Sequence, residues 1–275
     1  MKQDKKDTKE KYKLYKSVRE VLHPTISKKN ISNYKIILDE KLFPIRIFYP
    51  EKVTNLSKVI IYIQTSSKVI NNDYSKILSF ISKESDRLVI SIDYDDSESL
   101  KKQIANIYNT YKYIYQGLKT NGIKAKNITL IGDSIGSSII ISMFDKAEKD
   151  KINDVKTVLF YPVLIGETIK NNDSPIDYEI INNIKEYYQE VLKKKRLSNK
   201  DLFGFKIEEF KTYPKTLIIC GAVDPFVNEI KVLAGNNPNI ELHLISFASH
   251  NILNSTDREI VKEYKKILLE YINND

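Results

Sequence analysis

Apolar residues recur along this chain in two alternating rhythms. Short unbroken runs, "KVIIYIQT", "RLVISIDY", "NITLIGD", "VKTVLFYPVL", "KTLIICGAV" and "IELHLISF", have the length and β-branched content of strands, several of them apolar enough to be buried on both faces. Between them lie stretches that read as helices. These are "DYSKILSFISKE", the long "ESLKKQIANIYNTYKYIYQGLKTNG" ending near Gly122, a segment from Ser134 to about Lys149, another from about Pro225, and "DREIVKEYKKILLEYI" at the end. Ahead of the series, "NYKIILDEKLFPIRIFYPE" predicts a hairpin, with Ile36, Ile37, Ile45, Ile47 and Tyr49 supplying β-branched or aromatic character. Strand and helix alternating at this length predict an open, mostly parallel sheet with helices on both faces.

One segment breaks the rhythm. Between Gly166 and Lys211 no strand-like run occurs, but Ile176, Ile180, Ile184, Tyr188 and Val191 recur at helical spacing. An excursion of this size after one strand of an open α/β sheet belongs above the strands' C-terminal edge, where such sheets bind ligands, so residues 166–211 read as a lid. Residues 1–30 read as a charged N-terminal helical segment. No repeat or Gly/Ser linker divides the 275 residues, which are expected to form one domain.

Composition narrows the function classes. The net charge is +8, but 39 of the 44 basic residues are Lys mixed with Glu and Asp, and no recognition motif accompanies them, so no nucleic-acid partner is expected. A single cysteine, Cys220, rules out an internal disulfide and a multi-cysteine zinc site and fits a reducing compartment, with the cytoplasm as the expectation. The N-terminus lacks an apolar core of signal-peptide type, and no segment approaches the ~20 apolar residues of a membrane span.

Candidate chemistry begins at "LIGDSIGSS". A Gly-x-Ser-x-Gly is expected by chance about 0.02 times in a chain with this one's glycine and serine content, namely 8 Gly and 22 Ser in 275 residues. Ser134 follows the strand "NITLIG" and opens a helix, which is the strand–turn–helix setting that a nucleophile elbow requires; Gly132 and Gly136 suit the tight turn. The same residues also fit an ordinary glycine-rich turn. A serine hydroxyl needs a base and an orienting carboxylate. His250, in "FASHNIL" after the last predicted strand, belongs at the same sheet edge. Asp224, in "GAVDPF", ends the preceding strand and can hold the imidazole, or cap the next helix, or both. His243 lies inside a strand and His23 in the N-terminal region, so neither competes. Cys220 reads as a buried small hydrophobe. Asp93 and Asp95 at another strand end read as helix caps; a metal pair lacks further ligands, and no metal is expected.

The runs "KVIIYIQTSS", "RLVISIDY", "NITLIGDSIGSS", "VKTVLFYPVL", "YPKTLIICGAVDPFVNE" and "SFASHNIL" together resemble the hormone-sensitive-lipase-like (acetyl esterase/lipase) branch of the α/β-hydrolase family, from about residue 33 to the end. The resemblance implies an eight-stranded, mostly parallel sheet with a helical cap built from the N-terminal segment and residues 166–211. It also implies a serine esterase with a Ser134, Asp224, His250 triad, the Ile135 N–H as one oxyanion donor, a small-molecule ester substrate and no cofactor. One element departs from the family. Gln64, Thr65, Ser66 and Ser67 stand where members carry H-G-G-G, whose N–H groups complete the oxyanion hole. Donors are then expected from the backbone of Thr65 and Ser66 or from the Ser66 hydroxyl. Ser137 replaces a further glycine after the nucleophile. The loop keeps a second expectation open: a hydrolase-fold binding protein with weak or no turnover. A thioesterase or peptidase would use the same triad. Tyr187, Tyr188 and Phe205 are candidate pocket residues of the cap, though their spacing also fits core packing.

Overall fold

All five side chains of β4 (Val59–Ile63) are buried, which a strand achieves only where both faces of its sheet are covered. The computed structural model describes residues 13–14, 31–38, 41–51, 57–70, 74–164, 175–193 and 213–274, and in it β4 is the central strand. The other strands are β1 (Lys13–Leu14), β2 (Ile31–Leu38), β3 (Lys41–Phe48), β5 (Leu88–Ile92), β6 (Ile128–Asp133), β7 (Lys156–Phe160), β8 (Thr216–Gly221) and β9 (Ile240–Ile245). Their order is β1-β2-β3-β5-β4-β6-β7-β8-β9. The β2–β3 hairpin and the β3–β5 pair are antiparallel, and every other pair is parallel. Eight strands match the expected sheet. The ninth, β1, lies in the N-terminal stretch expected to be helical; its neighbours in residues 1–30, His23 included, lie outside the described residues.

Among the described residues six α-helices connect or flank the strands: α1 (Tyr74–Ser85), α2 (Leu100–Thr120), α3 (Ile135–Lys149), α4 (Pro175–Leu192), α5 (Val227–Gly235) and α6 (Arg258–Asn273). Their apolar stripes explain their placement. In α2, Ile107, Tyr111, Ile114 and Leu118 are buried, and in α6, Tyr264, Leu268 and Ile272. Helix α1 packs with α6 and α2 with α3. The start of α6 is sealed by Asp257, whose carboxylate accepts from the N–H groups of Glu259 and Ile260. The buried Arg87 guanidinium donates to the Ile272 carbonyl, tying the entry of β5 to the C-terminal helix.

Parallel strands in register put their C-terminal ends on one edge. Ile63 lies opposite Gly132, Asp133 opposite Phe160, and Gly221 opposite Ile245. Of the 166–211 excursion, α4 and Lys193 are described, and Phe205 lies outside the described residues. Helix α4 meets this same edge: Lys68 Nζ is 2.6 Å from Glu190 Oε1, and Asn183 Nδ2 donates to the Val69 carbonyl at 3.4 Å. Among the described residues no helix is long and apolar enough to cross a membrane.

Candidate active site

β6 ends in a turn that the backbone makes only under strain. Ser134 has φ 47° and ψ −117°, a region that L residues avoid at a cost of about 1–3 kcal/mol. Its N–H donates to the Phe160 carbonyl at 3.0 Å, and α3 starts at the next residue. The turn also needs a close approach: a β-carbon on Gly136 would lie 2.2 Å from the Ile63 carbonyl oxygen. Ser137, where the family resemblance puts a further glycine, uses its hydroxyl to donate to the Phe160 carbonyl at 3.0 Å.

Three strand ends meet at this turn. Ser134 Oγ is 3.0 Å from His250 Nε2, and His250 Nδ1 is 2.8 Å from Asp224 Oδ2. With the carboxylate accepting from Nδ1–H, the lone pair of Nε2 faces the serine hydroxyl. The other carboxylate oxygen, Oδ1, accepts from the Phe226 N–H at 2.8 Å, so Asp224 serves the imidazole and its own turn together. The N-cap of α5 is Phe226, two residues later than the Asp224 cap expected from the Asp-Pro signal. The imidazole is wedged edge-on between Tyr161 and Phe226, with ring centroids 4.8 and 5.4 Å away. Its loop lies so close to β8 that a β-carbon on Gly221 would sit 2.1 Å from the Ala248 carbonyl oxygen. Ser134 is fully buried, as are the side chains of Asp224 and His250.

The facing wall is the loop after β4. Thr65 and Ser66 are buried here. The Ile135 N–H donates to Thr65 Oγ1 at 3.2 Å, and the Thr65 N–H donates to Asp133 Oδ1 at 3.2 Å. The Ser66 hydroxyl donates to Asp96 Oδ2 at 2.7 Å. Sequence reasoning singled out Ile135, Thr65 and Ser66 but missed Asp133, which organises this wall. Its carboxylate also accepts from the phenols of Tyr62 at 2.9 Å and Tyr74 at 2.7 Å. Burial pushes the Asp133 carboxyl up to about 6, against the opposing pull of the Tyr74, Tyr62 and Thr65 hydrogen bonds and of His250. Burial likewise holds the Tyr62 phenol well above its ordinary range, with the neighbouring Asp133 charge adding to it, so it remains a donor.

The remaining candidates lie elsewhere. His243 sits in β9 with Nε2 2.6 Å from Glu241 Oε1. Burial raises the Cys220 thiol far above its usual range. The cap role expected of Asp93 and Asp95 is not what the structure shows: α2 has Ser99 at its N-cap, Asp93 pairs with Arg46 at 3.0 Å, and Asp95 accepts from the Ser97 N–H and hydroxyl. Tyr187 and Tyr188 are both buried, the Tyr187 phenol donating to Gln103 Oε1. A cavity of about 450 Å³ beside β3 and α2, lined by Phe43, Asp93, Tyr94, Glu98 and Gln103 among others, includes no member of the Ser134, His250, Asp224 chain. Among the described residues no cluster of His, Cys, Asp and Glu could hold a metal ion.

Chemically, such an arrangement can lend a serine oxygen to an electrophilic carbon while an adjacent imidazole takes the proton. A protein-family model described as alpha/beta hydrolase fold matches residues 67–237. No curated protein matches the chain by sequence. Many solved structures share the fold. An esterase of Pyrobaculum calidifontis is 14% identical with a TM-score of 0.70, over 93% of this chain and 87% of that one. EstE1, a thermophilic and thermostable carboxylesterase cloned from a metagenomic library, is 18% identical with a TM-score of 0.67, over 92% of each chain. The esterase LipW from Mycobacterium marinum is 15% identical with a TM-score of 0.68, over 93% of this chain and 85% of that one. At these identities the likeness is one of fold.

Proposed function

The chain belongs to the alpha/beta hydrolase fold family, and from that premise we propose that it is a serine hydrolase cleaving carboxylic esters with a short acyl group. The observation that carries this reading is the continuous hydrogen-bonded line from Ser134 Oγ through His250 to Asp224. Ser134 Oγ attacks the ester carbonyl carbon as its proton passes to His250 Nε2. The tetrahedral oxyanion is held by the Ile135 N–H and a donor from Thr65 or Ser66. Collapse expels the alcohol, which takes the proton from Nε2 and leaves an acyl group on Ser134. Water, deprotonated by the same imidazole, then releases the acid. Throughout, Asp224 fixes the ring's tautomer and balances the imidazolium. Residues 166–211 act as the cap that admits the substrate. That structural neighbours are an esterase and a carboxylesterase favours an ester over a thioester or peptide.

The competing reading, a hydrolase-fold binding protein with little turnover, draws on Thr65 Oγ1 lying against the Ile135 N–H. Hydrolysis of p-nitrophenyl esters of increasing acyl length by the native protein and Ser134→Ala separates the two. The esterase reading predicts turnover that is fastest on short chains and absent in Ser134→Ala; equal background rates in both proteins would leave the binding reading standing.

A further inference from the structure

Replacing glycine by threonine in the loop after β4 does more than remove backbone freedom, because it brings a hydroxyl to the catalytic turn. Thr65 is 1% exposed. Its N–H is committed, at 3.2 Å, to the Asp133 carboxylate. The Ser66 hydroxyl is likewise committed, to Asp96 at 2.7 Å. The Thr65 hydroxyl stands differently. A threonine hydroxyl has one proton to donate and two lone pairs to accept with. Thr65 Oγ1 accepts from the Ile135 N–H at 3.2 Å, and among the described residues nothing accepts its own proton. That leaves one hydrogen bond of a buried hydroxyl unmade, beside the Ser134 turn, for an incoming oxygen to complete.

We infer that the Thr65 side-chain hydroxyl is an oxyanion donor, doing with an O–H what the missing glycines would do with an N–H. The inference rests on Ser134 being the nucleophile. The Ile135 N–H to Thr65 bond is at the long limit of the N–H···O range, so the incoming oxygen can share that N–H with little loss. As the carbonyl oxygen gains charge, it accepts from both Ile135 N–H and Thr65 Oγ–H. Accepting from the Ile135 N–H polarises the threonine oxygen and makes its proton a better donor. No proton is transferred: it stays on Thr65 and the hydrogen bond relaxes when the oxyanion collapses. Asp133 is the positioning residue, since its bonds to Thr65 N–H, Tyr62 and Tyr74 fix where the threonine stands.

Thr65→Val keeps the shape and removes the hydroxyl. With p-nitrophenyl acetate, kcat should fall about 10²-fold with KM changed only a few-fold, the size expected for one oxyanion donor, while Thr65→Ser should recover most of the loss. Melting curves of the variants accompany the kinetics. If Thr65→Val does not fold, Thr65→Ser against Thr65→Ala carries the same comparison of hydroxyl with no hydroxyl. Thr65→Val at or above the native rate would show that the hydroxyl merely fills the hole and would overturn the inference, as would Thr65→Ser no faster than Thr65→Val or Thr65→Ala. Labelling of native protein by a fluorophosphonate keeps the two readings apart. A labelled native protein with an indifferent Thr65 sinks only this inference, whereas an unlabelled one sinks the nucleophile reading and the inference with it.

Discussion

Asp133 shows how a single residue ties the catalytic turn to the sheet. It takes three donors, from Tyr62, Tyr74 and the Thr65 N–H, in a site fully cut off from water. Its folded pKa of about 6 lies above the ordinary 3.8, so the folded protein binds this proton more tightly than the unfolded chain does. The group's contribution to stability is therefore full below about pH 4 and is lost as the pH rises through about 6. Thermal melts across that window should show the native protein losing ground to Asp133→Asn as pH rises; an offset that stays constant would contradict the assignment. At this scale the convergence of Ser134, Asp224 and His250 on one sheet edge was legible in the sequence, because each sits in a short motif at a strand end. Asp133 was printed beside Ser134 yet its role was not legible, since its phenol partners lie 71 and 59 residues away. The Thr65 hydroxyl was hidden for a similar reason: no pattern in "IQTSS" says which way a side chain turns.

Most elements with a period of their own were legible to within a residue or two, although the run "VKTVLFYPVL" extends past β7, which ends at Phe160. The strand "KVIIYIQT" became β4 and "NITLIGD" became β6. β1 was not legible, because a strand of two residues has no alternation to display, and it exists only by pairing with β2. Close packing between elements gives the next prediction. Since a β-carbon on Gly136 would meet the Ile63 carbonyl at 2.2 Å, Gly136→Ala forces α3 away from β4. Overpacking of this kind costs about 1–3 kcal/mol, which calorimetry would read as a Tm lower by about 2–10 °C, with activity reduced because Ser134 rides on the displaced turn. A Tm within about 1 °C of native, below the smallest shift such a cost allows, would mean that the turn has more room than these distances give. The Lys68–Glu190 pair makes the contrast. Its partners' side chains are 34% and 54% exposed, and exposed pairs are worth about 0–1 kcal/mol, so Glu190→Ala should leave the melting curve nearly unchanged.

Across the whole molecule, residues 116 apart in sequence, Ser134 and His250, meet because parallel strands deliver their C-terminal ends to one edge. Asp224→Asn tests whether that assembly works as a unit: with the tautomer no longer enforced, kcat should fall by about 10⁴, and stopped-flow or steady-state rates within tenfold of native would contradict the role given to Asp224. The central proposal is that Ser134 is a nucleophile in a triad. Its most direct test is to treat the native protein and Ser134→Ala with a fluorophosphonate, digest both and locate the adduct by tandem mass spectrometry. The account predicts one adduct, on Ser134, in the native protein and none in the variant; an unmodified native protein, or an adduct on another residue, would contradict it.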